Sequence, residues 1–161
     1  MTRNLVLHLL AMMPMLALSG CGEQPAGEAA QPAAAPQRTV TEMPRTPSPE
    51  GAKVFFISPA NGDTVASPLT VEFGIDGMNV VAAGVNEPYS GHHHLLIDTG
   101  LPDLGMPIPA DANHVHFGNA ATSTRLELAP GTHTLQLLLG DHLHVPHVPP
   151  VISAPITITV E

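Results

Sequence analysis

The sequence predicts an all-β domain, an immunoglobulin-like antiparallel β-sandwich of about seven strands, and three observations carry that expectation. Helical periodicity is almost absent from residues 52 to 161. Short runs in which apolar and polar residues alternate recur along that stretch. Gly, Pro, Asn and Asp punctuate these runs as turns require.

The first segment in chain order lies outside this domain. Arg3 sits in a short polar start, a run rich in leucine and methionine follows, and Leu18-Ser19-Gly20-Cys21 closes it. A charged stretch, an apolar stretch and small residues before a cleavage point make residues 1 to 20 an export signal. The apolar run is shorter than the ~20 residues that span a bilayer, so a retained transmembrane helix is not expected. Leu18-Ser19-Gly20-Cys21 resembles the lipobox of bacterial lipoproteins. That resemblance implies a diacylglyceryl group on the Cys21 thiol and, after cleavage, acylation of its new amine. Several acyl chains, at ~0.8 kcal/mol per buried CH₂, hold a protein on a membrane where one would not. Gly22, rather than Asp, after the cysteine resembles lipoproteins sent to the outer membrane, so the expected location is the periplasmic face of the envelope. Cys21 is the single cysteine of the chain, which excludes an intrachain disulfide and leaves the folded domain no thiol for catalysis or metal binding.

Residues 21 to 51 shift to Pro, Ala, Glu and Gln, as in Gln31-Pro32-Ala33-Ala34-Ala35-Pro36. So little apolar surface cannot offset the entropy of ordering, and a disordered, partly polyproline tether is expected. Residues 52 to 161 then suffice for one small domain with its own core. Lys53 and Arg125 are its two cations against ten acidic residues, and the chain has no tryptophan. Such a surface neither neutralises phosphates nor stacks bases, which excludes nucleic acid as a partner.

Within the domain, Val54 to Ser58 reads as the first strand, ended by Pro59 and the turn Asn61-Gly62-Asp63. Leu69, Val71, Phe73 and Ile75 alternate with Thr70, Glu72, Gly74 and Asp76 as a half-buried second strand. His92 to Asp98 forms a third and His114 to Phe117 a short fourth. Leu126 and Leu128 lead into the turn Ala129-Pro130-Gly131, and His133, Leu135, Leu137 and Leu139 alternate along the next strand. Ile156, Ile158 and Val160 mark the last.

Nine of the ten histidines fall in this domain, in Gly91-His92-His93-His94, His114-Val115-His116, His133 and Asp141-His142-Leu143-His144-Val145-Pro146-His147. Neutral imidazole is the commonest nitrogen ligand for Zn(II) and Cu(II), and three or four converging rings satisfy either ion. Strand residues i and i+2 share a face about 6 to 7 Å apart, so an H-x-H pair can serve one ion. In the sandwich layout the third and sixth strands are antiparallel neighbours, so the loop before His92 and the loop after Gly140 emerge at one pole. The first and last clusters are therefore expected to meet. The expected ligands are His92, His94, His116, His144 and His147. His92 and His94 share the parity of Asp98 and are expected on an outward, accessible face, while prolines stiffen the loop of His144 and His147.

Other residues have a second reading. His93 shares parity with Leu95 and Ile97 and reads as a core-edge hydrogen-bonding residue or a ligand. His133, after the Pro-Gly turn, reads as a structural hydrogen-bonding residue. His114 and His142 stand between ligand and structure. Asp141 reads as a partner orienting an imidazole or as a loop-initiating residue.

The motifs Gly91-His92-His93-His94-Leu95-Leu96-Ile97-Asp98, His116-Phe117-Gly118, Pro130-Gly131-Thr132-His133-Thr134-Leu135-Gln136-Leu137 and Leu139-Gly140-Asp141 with His144-Val145-Pro146-His147 resemble bacterial exported proteins of domain-of-unknown-function family 4399. The resemblance spans residues 53 to 160 and implies an exported β domain without an assigned activity. His114-Val115-His116-Phe117-Gly118 also resembles the H-x-H strand of copper-zinc superoxide dismutases, but that family's other ligand spacing and its cysteine pair are missing.

Three functions follow as alternatives. One is an envelope-tethered module holding copper or zinc through clustered histidines. Another is a structural or partner-binding sandwich, facing an envelope protein, whose histidines form a hydrogen-bond network. The third is a metalloenzyme, disfavoured because no carboxylate has a reasoned role as base and no G-x-S-x-G motif is present.

Overall fold

The structure is a computed structural model and describes residues 43 to 161. The export signal, Cys21 and most of the expected tether lie outside the described residues. Alternating runs become strands as their periodicity requires. β1 (Lys53–Ser58) and β3 (Leu69–Asp76) pair antiparallel, and β3 pairs on its other side with β7 (Ser123–Leu126). Along β3 the inward Leu69, Val71 and Phe73 are buried while Thr70 and Glu72 face water, the pattern of a strand with one dry face.

The second sheet runs β2 (Thr64–Val65), β9 (Ile156–Val160), β8 (Gly131–Gly140), β5 (Ser90–Ile97), β4 (Asn79–Val80), and β6 (His114–His116) also pairs with β5. The two sheets close on a core that includes Val71, Phe73, Leu95, Leu137, Leu139 and Ile158. Strand neighbours β1-β3-β7 and β9-β8-β5 reproduce the immunoglobulin-like division of strands between two sheets. The two-residue strands β2 and β4, which pair in parallel with β9 and β5, are too short to show an alternation and were not expected. No helix of the described residues is long and apolar enough to cross a membrane.

β5 departs from the expected half-buried strand, because all eight of its residues are buried. Its inward residues enter the core. Its outward face is roofed by the two long loops that follow β5 and β8, where Leu96 and Leu138 pack with Ile108 and the partly buried Leu104 and Ile152. The outward, accessible face expected for His92 and His94 is therefore outward but closed: they are 0% and 1% exposed.

Residues before 52 also make contacts with the domain. Thr46, Pro47 and Ser48 lie along the loop after β8: Pro47 bridges to Val148, Val148 N–H donates to the Thr46 carbonyl at 2.9 Å, and Ser48 N–H donates to the Val148 carbonyl at 3.0 Å. Arg45 Nε donates to the Pro146 carbonyl at 2.8 Å, and its guanidinium also reaches the His147 carbonyl. This strap lies within the span expected to be a tether, most of which is outside the described residues. Its proline content lowers hydrogen-bonding capacity without preventing an extended segment from pairing with a loop.

Candidate metal centre

β5 and β8 are antiparallel in the register His92↔Gly140, His94↔Leu138, and β5 and β6 in the register His94↔His116. Because successive strand residues alternate faces, His92, His94 and His116 project together from the outer face of the second sheet. Each of these three offers a ring nitrogen within 4.8 Å of those of the others.

His144 arrives from the loop after β8. The loop turns on Asp141, whose carboxylate accepts the Leu143 and Val145 N–H groups at 2.8 and 3.0 Å, while His144 N–H donates to the Asp141 carbonyl at 2.8 Å. His144 itself has a left-handed backbone, φ 67°, a conformation side-chain-bearing residues adopt at some cost. Its ring centroid lies 4.9 Å from that of His92, 4.8 Å from His116 and 6.0 Å from His94. The expected meeting of the first and last clusters at one pole thus occurs, between His92, His94 and His144, with His116 added by β6.

Two glycines make room for these rings. A Cβ on Gly140 would stand 2.7 Å from His94 Cε1, and one on Gly118 would stand 2.9 Å from His116 Nε2. Neither residue suggests a binding role by its chemistry. Their signal in the sequence is positional, since each lies within two residues of a histidine in the motif or of the strand register opposite one.

The electrostatics match a site of neutral imidazoles. Burial, followed by the adjoining His144 and His116 rings, pushes His92 down to about 4. Burial and then His92 push His94 lower still, to about 2. His116, more exposed, is lowered by the same two kinds of cause, burial and then His144. Both ring nitrogens of His92 and Nδ1 of His94 are buried with no hydrogen-bond partner. Such groups ordinarily cost ~1 to 3 kcal/mol each when left unpaired, which sets these rings apart from the hydrogen-bonded His114 and His133.

The remaining expected residues lie elsewhere. His147 is not in the ring cluster: its Nδ1 is 2.7 Å from Thr46 Oγ1, its Nε2 is buried without a partner, and burial lowers its pKa. A cavity of about 380 Å³ beside His147, lined also by Thr46, Glu87 and Tyr89, does not include the cluster histidines among its walls. His93 faces the core, where its ring meets Phe73 edge-on at 4.7 Å with neither nitrogen hydrogen-bonded. It takes the inward direction expected of it without the expected hydrogen bond, and burial pushes it down to about 4. His114, opposite Leu96, turns its Nδ1 to Asp111 at 2.8 Å. His133 bridges Asp98 Oδ2 at 2.7 Å and the Ala129 carbonyl at 2.8 Å, and the Asp98 hydrogen bond raises its pKa. His142 is half-buried on the loop. Asp141 organises that loop and accepts a 3.2 Å hydrogen bond from Thr46 Oγ1, which favours the loop-building reading over direct contact with an imidazole.

No curated protein and no solved structure matches the chain. A family model does, over residues 71–161, and this span holds most of β3, all of β4 to β9 and every histidine of the cluster. The chain belongs to that family, described as a domain of unknown function (DUF4399).

Proposed function

We propose that this chain is an envelope-tethered module, held on the membrane through lipid at Cys21, that binds Cu(II) or Zn(II) through His92, His94 and His116 with His144 beside them. One observation carries the reading: three imidazoles offer nitrogens within 4.8 Å of one another, and two of those rings are buried with unpartnered nitrogens. Ions of this class prefer nitrogen donors, and burial keeps these imidazoles in the neutral, ligating form. A hydrogen-bond network fits His114, His133 and His147, each of which has a partner. It does not fit His92 or His94.

The test uses the full chain carrying Cys21→Ser, purified without a histidine tag, stripped with chelator and titrated calorimetrically with Cu(II) and Zn(II). Stoichiometric binding of one ion with Kd below ~10 µM is expected. Failure to bind either ion at that level ends the metal-binding reading. Anchoring is tested apart from it, by labelling the wild-type chain in bacteria with a clickable fatty acid: incorporation that disappears in Cys21→Ser is expected, and an unlabelled wild-type chain refutes it.

A further inference from the structure

Resting on the metal-binding reading, we propose that the site is a closed, tetrahedral four-imidazole Zn(II) centre in which His144 is the fourth ligand and no position is left for solvent or substrate. The ring positions carry this. With Zn–N of about 2.0 to 2.1 Å and a ring centroid about 1.1 Å beyond its nitrogen, bound imidazole centroids sit about 3.1 to 3.2 Å from the ion. A tetrahedron then puts all six centroid pairs about 5.1 Å apart, whereas the square plane suited to Cu(II) puts four pairs at about 4.5 Å and two trans pairs at about 6.3 Å.

The six observed separations are 4.8, 4.9, 4.9, 4.9, 5.1 and 6.0 Å. Five are tetrahedral, and only His94–His144 is long. In a square plane the complementary pair, His92–His116, would have to be long as well, yet it is 4.9 Å. The departure is therefore a hinge about the His92–His116 edge that turns His144 away from His94 alone, and His144 is the residue carried by a loop. His92, His94 and His116 are fixed by the strand ladders, and their ligand atoms already lie within 4.8 Å of one another. His144 stands outside that set of three, and binding turns its ring toward His94 to complete four.

The donor chemistry agrees. No sulfur can come from cysteine, because the sole cysteine is Cys21, and an all-imidazole set suits Zn(II) better than Cu(I). Four protein ligands make a site that holds its ion, whereas catalytic zinc keeps a fourth position for water. The centre thus stores or carries zinc and does not hydrolyse.

Co(II) replaces Zn(II) as a probe whose visible spectrum reports coordination number. The full chain with Cys21→Ser, stripped and loaded with Co(II), is expected to give intense tetrahedral absorption that azide leaves unchanged. His144→Ala is expected to bind Zn(II) about 10- to 100-fold more weakly and, loaded with Co(II), to respond to azide through the vacated position. Weak six-coordinate absorption in the parent chain, or an azide response equal to that of His144→Ala, overturns the closed tetrahedral centre while leaving metal binding intact. Absence of any Co(II) or Zn(II) binding overturns both readings. Circular dichroism of each stripped protein separates loss of a ligand from loss of the fold, and His142→Ala on the same loop, outside the cluster, is expected to behave as the parent.

Discussion

Gly140 lacks a side chain where His94 needs space: a Cβ there would meet His94 Cε1 at 2.7 Å, closer than real Cβ atoms approach. The neighbouring ring cannot retreat cheaply, because His94 is fully buried and opposed across the ladder by Leu138 and His116. Gly140→Ala is therefore expected to push the His94 ring off the cluster, lowering Zn(II) affinity by about tenfold or more while the strand, which tolerates alanine, remains paired. Unaltered affinity in calorimetry would mean that His94 is not a ligand or that its ring moves freely. His93, one residue away and on the other face, gives the opposite expectation. Its two unpartnered nitrogens sit in the apolar core against Phe73. His93→Leu, of similar volume, removes both and is expected to stabilise the stripped protein by about 1 to 3 kcal/mol in urea unfolding at neutral pH, with metal affinity unchanged. A destabilised variant would assign His93 a polar partner. Three adjacent histidines thus divide between two faces, and strand parity alone sorted His93 from His92 and His94 in the sequence.

The loop that carries His144 is held from three sides. Asp141 caps it from within, Ile108 N–H donates to the His144 carbonyl at 2.9 Å, and the strap of residues 43 to 49 lies along its outer edge. Thr46 ties two residues of the loop together, since its hydroxyl meets both Asp141 and His147. Arg45→Ala together with Thr46→Val is expected to loosen the loop and weaken Zn(II) binding about threefold to tenfold, without touching a ligand. A chain shortened to begin at residue 43 should keep full affinity, and one beginning at residue 52 should match the double variant. Equal affinity for all three chains would show that the strap does not position His144. The strands themselves were legible from alternation, because β3 and β9 each keep one dry face. The strap was not. Its residues offer few apolar side chains, so composition alone assigns them to the tether. What orders them is a set of main-chain and hydroxyl partners on a loop about 100 residues away, a relation no local pattern contains.

At the scale of the whole domain, the sandwich and the pole where the histidines meet followed from strand order, but the depth of the site did not. Parity gives the face on which His92 and His94 lie, and only the packing of Ile108, Leu104 and Ile152 over that face shows that it is roofed. Burial of the histidines has a thermodynamic consequence. His92, His93 and His94 are pushed below the ordinary 6.5 chiefly by burial, and His116 and His147 are lowered for the same leading cause. Where a folded-state pKa is lowered, the unfolded chain binds protons more readily, so the stability those groups allow is full above about 6.5 and falls as pH drops toward the folded pKa. For His93 alone, a shift from 6.5 to about 4 corresponds to roughly 3 kcal/mol lost by pH 4. His133 works in the other direction: the Asp98 hydrogen bond raises its pKa, so its contribution is full below 6.5 and disappears as pH rises through the raised value. That pair is partly open to solvent and is worth correspondingly less. Five lowered imidazoles against one raised imidazole predict a stripped domain whose urea midpoint declines steadily from pH 7 to pH 4.5. His93→Leu should flatten part of that decline, so that its advantage over the parent chain widens as pH falls. His133→Gln should leave the acid decline in place and lower stability most below pH 6.5, where the charged pair with Asp98 is complete. A midpoint independent of pH across this interval would mean that the buried rings are hydrated in solution and that the roof over β5 opens far more readily than its packing implies.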